Sequence, residues 1–178
     1  MARKGFIVAA LAALFALPTA AKAAVENPWE LTLGGGAAHG PDLNGFTGNV
    51  NTQIGYYFTD NLELALRQSI QYSDVGGAAG DGSAWNGSTR LALDLHFPLG
   101  DRRRIVPFVG ANIGYVYGES VNDTFAAGPE AGVKVYLDDR TFMFVQAEYQ
   151  FFFDSDSDAS DSFSDGSFVY TIGLGFRF

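Results

Sequence analysis

The 178-residue chain reads as an all-β protein, an eight-stranded antiparallel up-and-down transmembrane β-barrel. Three observations carry that expectation. Period-two alternation of apolar and polar residues recurs along most of the chain, and helical periodicity does not. The alternating segments run about 10–13 residues, longer than ordinary soluble strands and long enough for a tilted strand to cross a bilayer. The connections between them are short on one rim and longer on the other, the pattern of a barrel held in a membrane.

Composition narrows the alternatives. Charged residues make up 17 % of the chain, aromatics 15 %, and glycine counts 22. The net charge of 11 − 20 = −9 argues against a nucleic-acid partner, whose phosphates demand a basic stripe. With no cysteine there is no disulfide scaffold, thiolate zinc site or cysteine nucleophile.

The N-terminus stands apart from the strands. Arg3 and Lys4 precede an apolar run from Phe6 to Leu17, broken by Pro18 and followed by Ala21-Lys22-Ala23. A charged start, a short apolar run and an A-x-A site make residues 1–23 a cleaved secretory signal peptide. The run is about 12 residues, too short for a spanning helix, which needs roughly 20. Cleavage leaves one barrel domain, 24–178, of 178 − 23 = 155 residues with a charge of 8 − 20 = −12.

Strands are expected near 29–39, 49–58, 62–73, 87–97, 106–117, 125–137, 142–153 and 167–178. Each has one apolar face. The first shows Trp29, Leu31 and Leu33; the second Val50, Ile54, Tyr56 and Phe58; the third Leu62, Leu64, Leu66, Ile70 and Tyr72. Leu91, Leu93, Leu95 and Phe97 mark the fourth, and Val109, Ala111, Ile113, Tyr115 and Tyr117 the fifth. The sixth carries Val133, Val135 and Leu137, and the seventh Met143, Val145, Ala147, Tyr149, Phe151 and Phe153. The last carries Phe168, Tyr170, Ile172, Leu174, Phe176 and Phe178. Thr59-Asp60-Asn61, Pro98 to Ile105 and Asp138 to Thr141 form the short rim, where Asn and Asp suit tight turns. Gly-, Ser-, Asp- and Asn-rich connections follow strands one, three and seven, with a more modest link at Gly118–Thr124. Gly34-Gly35-Gly36 precedes no helix, so it reads as a place where the strand bends rather than as a phosphate loop.

Alternation does not say which face is outside, and a soluble lipocalin-like barrel alternates too. The polar face decides. It carries glycines and few charges, and Lys134 is the one lysine after Ala23, whereas a water-facing exterior is rich in Lys and Glu. Aromatics gather near strand ends, as in the girdles of membrane barrels. The chain also ends within a strand, as a sheet closed on itself in lipid requires.

The polar face then lines the lumen. It holds Glu30, Glu63, Asp94, Glu130 and Glu148 against Arg67, Arg90, Lys134 and Arg177. Buried charges persist only when paired, and eight strands leave a lumen that side chains can fill. The expectation is a polar plug of ion pairs rather than an open pore, with gating or proton handling as the competing use of the same residues. The turn at Asp138–Arg140 aligns Lys134 with Phe144 and Glu130 with Glu148, so a cation, from Lys134 or an arginine, must separate the two glutamates. Arg177 and Glu30 are expected to pair at the closing rim.

These features resemble the small bacterial outer-membrane β-barrel family, which includes the membrane domain of outer membrane protein A, opacity-type proteins and porin-family proteins of similar size. The resemblance rests on the signal peptide, on 107–115 (PFVGANIGY), 128–134 (GPEAGVK) and 146–151 (QAEYQF), and on the end, 170–178 (YTIGLGFRF). It covers the whole chain after the signal peptide. It implies outer-membrane lipid as the surroundings and periplasmic termini. By the same resemblance, Tyr170, Ile172, Leu174, Phe176 and Phe178 form a signal for the barrel-assembly machinery. No peptidoglycan-binding domain follows the last strand, so a peptidoglycan tether is not expected.

Chemistry is sparse. Some small outer-membrane barrels resemble lipid-modifying enzymes, but His39 and His96 are the only histidines, and neither sits in a local Ser/His/Asp pattern. His39, near Asp42, reads as a loop-end histidine and His96 as a hydrogen-bonder at the inner rim. The acidic stretch 154–166 places Asp at the first, third and fifth positions of a calcium loop. Ala159 then stands where glycine is needed, Asp165 replaces the bidentate Glu, and no helices flank it. Arg102-Arg103-Arg104, in the longest inner turn, is an exposed turn or a contact for phospholipid phosphates. The sequons at Asn86 and Asn122 read as chance matches. No catalytic residue, metal or cofactor is expected. The expected role is structural, in envelope integrity, or in surface interaction through the loops with an extracellular ligand. The alternatives are a narrow porin-like channel and, more distantly, a lipid-acting enzyme.

Overall fold

A computed structural model describes residues 26–39, 46–75, 82–100, 103–119, 123–153 and 167–178. The chain forms eight strands: β1 (Trp29–His39), β2 (Phe46–Tyr57), β3 (Leu62–Val75), β4 (Gly82–His96), β5 (Ile105–Gly118), β6 (Thr124–Tyr136), β7 (Thr141–Phe153) and β8 (Ser167–Arg177). Each pairs antiparallel with its sequence neighbour, and β1 pairs β8 to close the barrel. Closure leaves no open edge, which lipid would not tolerate.

Two strands extend beyond their apolar alternation. β2 begins at Phe46 rather than 49, and β4 begins at Gly82 rather than 87. The reason is local pairing: β3 and β4 zip together up to Val75↔Gly82, and β1 and β2 up to His39↔Phe46. A ladder can continue through polar residues once its partner is in place. The connections after β1 and β3 are therefore only 40–45 and 76–81, shorter than the sequence suggested.

The alternation faces outward as expected. In β4 and the residue after it, Leu91, Leu93, Leu95 and Phe97 are exposed, while Arg90, Ala92, Asp94 and His96 are buried. Leu31, Leu33, Val145, Ile172 and Leu174 continue the apolar belt on other strands. Aromatic contacts border it at both ends. Trp29 meets Tyr56 at 4.9 Å on one rim, and Tyr72 meets Trp85 and Tyr149 meets Phe168, each at 4.7 Å, on the other. The β6–β7 ladder skips Gly128 and Pro129, where proline has no N–H to give.

The short turns are tight. Asp138 Oδ1 accepts the backbone N–H of Arg140 at 2.8 Å and of Thr141 at 2.7 Å, and these bonds hold its carboxyl below the usual aspartate range. Thr59 Oγ1 accepts from the N–H of Leu62 at 3.0 Å in the β2–β3 turn. Gly100, with φ +69°, takes the left-handed conformation in the β4–β5 turn.

Candidate functional site in the barrel lumen

The register assembles four of the five inward acids into one row. Passing around the barrel from β2 it reads Tyr57, Glu63, Asp94, Gly110, Glu130 and Glu148. Glu30 lies in the neighbouring inward row, with Arg177 on one side and Gly55 and Ala65 on the other. The row of four acids returns to β8 at Val169, and Arg177 belongs to the row two positions away, so the stagger of the barrel is 177 − 169 + 2 = 10 residues. Two inward glycines give the acids room. A Cβ on Gly55 would enter the space of the Glu63 carboxylate, and one on Gly110 would meet Asp94 Oδ1 and the Leu93 carbonyl.

The bases reach this row from other levels. Lys134 Nζ donates to Glu30 Oε1 at 2.6 Å, to the Tyr57 hydroxyl at 3.0 Å and to Glu63 Oε2 at 3.1 Å. Arg67 Nη1 and Nη2 donate to the two oxygens of Glu130 at 2.8 and 2.9 Å, a bidentate pair. Asn112 adds a third donor to Glu130. Arg90 Nη1 donates to Glu148. Gln53 joins the two groups, because its Nε2 donates to Glu63 Oε1 at 3.0 Å and its Oε1 accepts from Arg67 Nε at 2.8 Å. A hydrogen-bonded chain thus runs from Tyr57 and Glu30 through Lys134, Glu63, Gln53 and Arg67 to Glu130 and Asn112.

All nine charged residues expected in the lumen lie there, but their partners differ from expectation. Glu130 and Glu148 face each other as the turn dictates, with Lys134 opposite Phe144. Lys134 does not separate the two glutamates. It points to the other side of the lumen, and the arginines of β3 and β4 take one glutamate each. Arg177 faces Glu30 in register, yet its guanidinium lies 4.1 Å from the centre of the Tyr57 ring. Glu30 already spends its oxygens on Lys134 and Tyr57.

The plug is also less polar than expected. Phe108, Phe142 and Phe144 are buried in the lumen beside Tyr57. Lys134 Nζ sits 5.0 Å from the Phe142 ring centre, 5.5 Å from that of Tyr57 and 5.6 Å from that of Phe108, within cation–π range. Side chains at Gly132 or Gly175 would displace the Phe108 or Phe142 ring, so these inward glycines make room for aromatics. Two voids near Arg67 each measure about 10 Å³, enough for about one water apiece.

Gln53, Tyr57 and Asn112 are members the sequence reading missed. Each stands at an inward position of the alternation, which was the available signal. His96 is buried, with Nε2 3.3 Å from the Tyr57 hydroxyl and 3.5 Å from Glu63 Oε2. The His39 side chain, Asp42, the signal peptide, Arg102, Asn122 and the acidic stretch 154–166 lie outside the described residues. Tyr170, Ile172, Leu174, Phe176 and Phe178 form an exposed apolar stripe along β8 and the final residue. Among the described residues no group of His, Asp and Glu is arranged to hold a metal ion.

A closed eight-stranded barrel with an apolar exterior and a charged, filled interior defines an outer-membrane β-barrel protein. The match of the outer membrane protein β-barrel domain family to residues 7–178 agrees, and the chain belongs to that family. Solved structures share the fold. The outer membrane protein OprG of Pseudomonas aeruginosa is 14 % identical, with 84 % of this chain and 95 % of that one covered at a TM-score of 0.57. The N-terminal β-barrel domain of Pseudomonas aeruginosa OprF is 20 % identical, with 86 % and 98 % covered at 0.56. Neisserial surface protein A is 11 % identical, with 84 % and 95 % covered at 0.56. No curated protein sequence matches the chain.

Proposed function

We propose that this protein is a closed, non-conducting barrel with a structural role in envelope integrity or a role in surface interaction. The observation that carries the reading is the continuous ion-paired and aromatic plug, in which the two voids near Arg67 hold about one water each. A lumen filled at this density offers no path for a hydrated ion. The ion-pair network acts as filling that holds the strands around it, and the loops on the long rim carry any contact with an extracellular ligand. The protein is not an enzyme on this reading. His96, the histidine inside the lumen, is shut away from any lipid substrate and serves as a packing and hydrogen-bonding group. The signal peptide is removed after Ala23, both termini lie in the periplasm, and the exposed stripe ending at Phe178 engages the barrel-assembly machinery.

Solute flux into proteoliposomes tests the closed lumen. Vesicles carrying the refolded protein take up small sugars and ions no faster than protein-free vesicles. Faster uptake that scales with protein content favours the narrow porin-like channel instead. Deleting Phe178 tests the assembly role: the truncated chain is exported normally but reaches the outer membrane in smaller amount, and normal insertion contradicts that role.

A further inference from the structure

The lumen charges do not balance evenly along its length. At the lower level Glu30 and Glu63 face Lys134 and Arg177, two against two. At the upper level Asp94, Glu130 and Glu148 face Arg67 and Arg90, so −3 + 2 = −1. The surplus is buried, and an unpaired buried charge is strongly disfavoured.

Donor counts show which carboxyl carries the surplus. Glu130 is saturated by both Arg67 Nη atoms and by Asn112. Glu148 is met by Arg90. Asp94 has no charged donor within hydrogen-bonding distance. The nearest, Arg67 Nη2, is 3.6 Å from Oδ2 and is committed to Glu130, and Asp94 Oδ1 has no partner. Gly110 lies between Asp94 and Glu130 in the row and offers no side chain to part them. One guanidinium nitrogen, Arg67 Nη2, faces both carboxyls, 2.9 Å from Glu130 Oε1 and 3.6 Å from Asp94 Oδ2. Two ionised carboxylates beside one committed cation leave a charge uncovered, and a proton on one of them removes it.

We propose that the lumen binds one proton at neutral pH, carried by Asp94 beside the ionised Glu130. The charged and titratable groups around Asp94 are Glu63 and Arg67 on β3, Arg90 and His96 on β4, Glu130 and Lys134 on β6, and Glu148 on β7. Beyond them lie Glu30, Tyr57, Tyr136 and Arg177. β5 contributes only Asn112, which does not titrate. With Asp94 neutral the upper level becomes −2 + 2 = 0, and the whole network is balanced. The proposal stands whether or not the barrel conducts.

Infrared spectroscopy of the protein refolded in lipid at neutral pH tests it, because a protonated carboxyl has its own carbonyl band. The expected spectrum contains such a band. The band shifts when the aspartate side-chain carboxyls carry carbon-13, since Asp94 is the one buried aspartate among the described residues. In Asp94→Asn, folded as judged by unheated gel mobility, the band is lost. No acid band in the parent, or a band unmoved by the aspartate label, overturns the proposal. If Asp94→Asn does not fold, the labelled parent decides alone.

Discussion

Lys134→Met removes the cation that bridges Glu30 and Glu63 while keeping a long side chain against the lumen rings. Lys134 Nζ has three acceptors, and two are the buried carboxylates of Glu30 and Glu63. A hydrogen bond to a charged group contributes about 1.5–3 kcal/mol, so two of them sum to roughly 3–6 kcal/mol. Removing one partner of a buried ion pair costs about 3–5 kcal/mol by a separate line of experience. The overlap gives an expected loss of about 3–5 kcal/mol, or roughly two to four powers of ten in the folding equilibrium. Urea unfolding in lipid vesicles at neutral pH, followed by tryptophan fluorescence and unheated gel mobility, measures it. Adding Glu30→Gln and Glu63→Gln to the same chain removes the orphaned charges and recovers most of the loss. A loss below about 1 kcal/mol, the scale of an exposed pair, refutes the reasoning. So does a triple variant no more stable than Lys134→Met alone.

Three further outcomes follow from the same structure. Leu93→Arg places a charge on the lipid-facing belt and costs about 2–4 kcal/mol near the bilayer midplane, read from vesicle unfolding; a neutral effect contradicts the outward assignment. Gly128→Ala drives a methyl into the Tyr149 carbonyl, a backbone atom that cannot swing aside, and loses about 1–3 kcal/mol by the same assay. Asp138 has a carboxyl held below its ordinary range, so its contribution is fully present above that range and is lost as pH falls through its folded value. Thermal unfolding of the parent and Asp138→Ala therefore differs at neutral pH and converges in strong acid; an equal gap at both pH values contradicts the turn's hydrogen-bonding account.

The strands and their outward face were legible because lipid imposes a strict period. Leu91, Leu93 and Leu95 alternate with Ala92 and Asp94, and the scarcity of charge on the polar face set the apolar face outward. The Glu130–Glu148 register was legible too, because the four-residue turn 137–140 leaves little freedom. Partner choice was not. Lys134 reaches across the lumen to Glu30 and Glu63, and that distance depends on barrel stagger and side-chain length, neither of which one turn reveals. The row of acids was hidden for the same reason: it needs four successive registers from β3 to β7 at once, including the one across the long connection 76–81. Gly55 and Gly110 were visible as small residues on the polar face, but the carboxyls that fill their space come from neighbouring strands. Phe108, Phe142 and Phe144 were passed over because inward aromatics break a simple apolar-out, polar-in rule. Phe108 and Phe142 surround Lys134 together with Tyr57, where the ring faces favour a cation.

The claim at the centre of this account is that ion pairs and aromatic rings close the lumen. Single-molecule current recording in planar bilayers tests it most directly, using protein first shown to migrate faster unheated than boiled. The account predicts a silent membrane with the folded parent barrel inserted. Discrete openings whose size rises in proportion to salt concentration would contradict it.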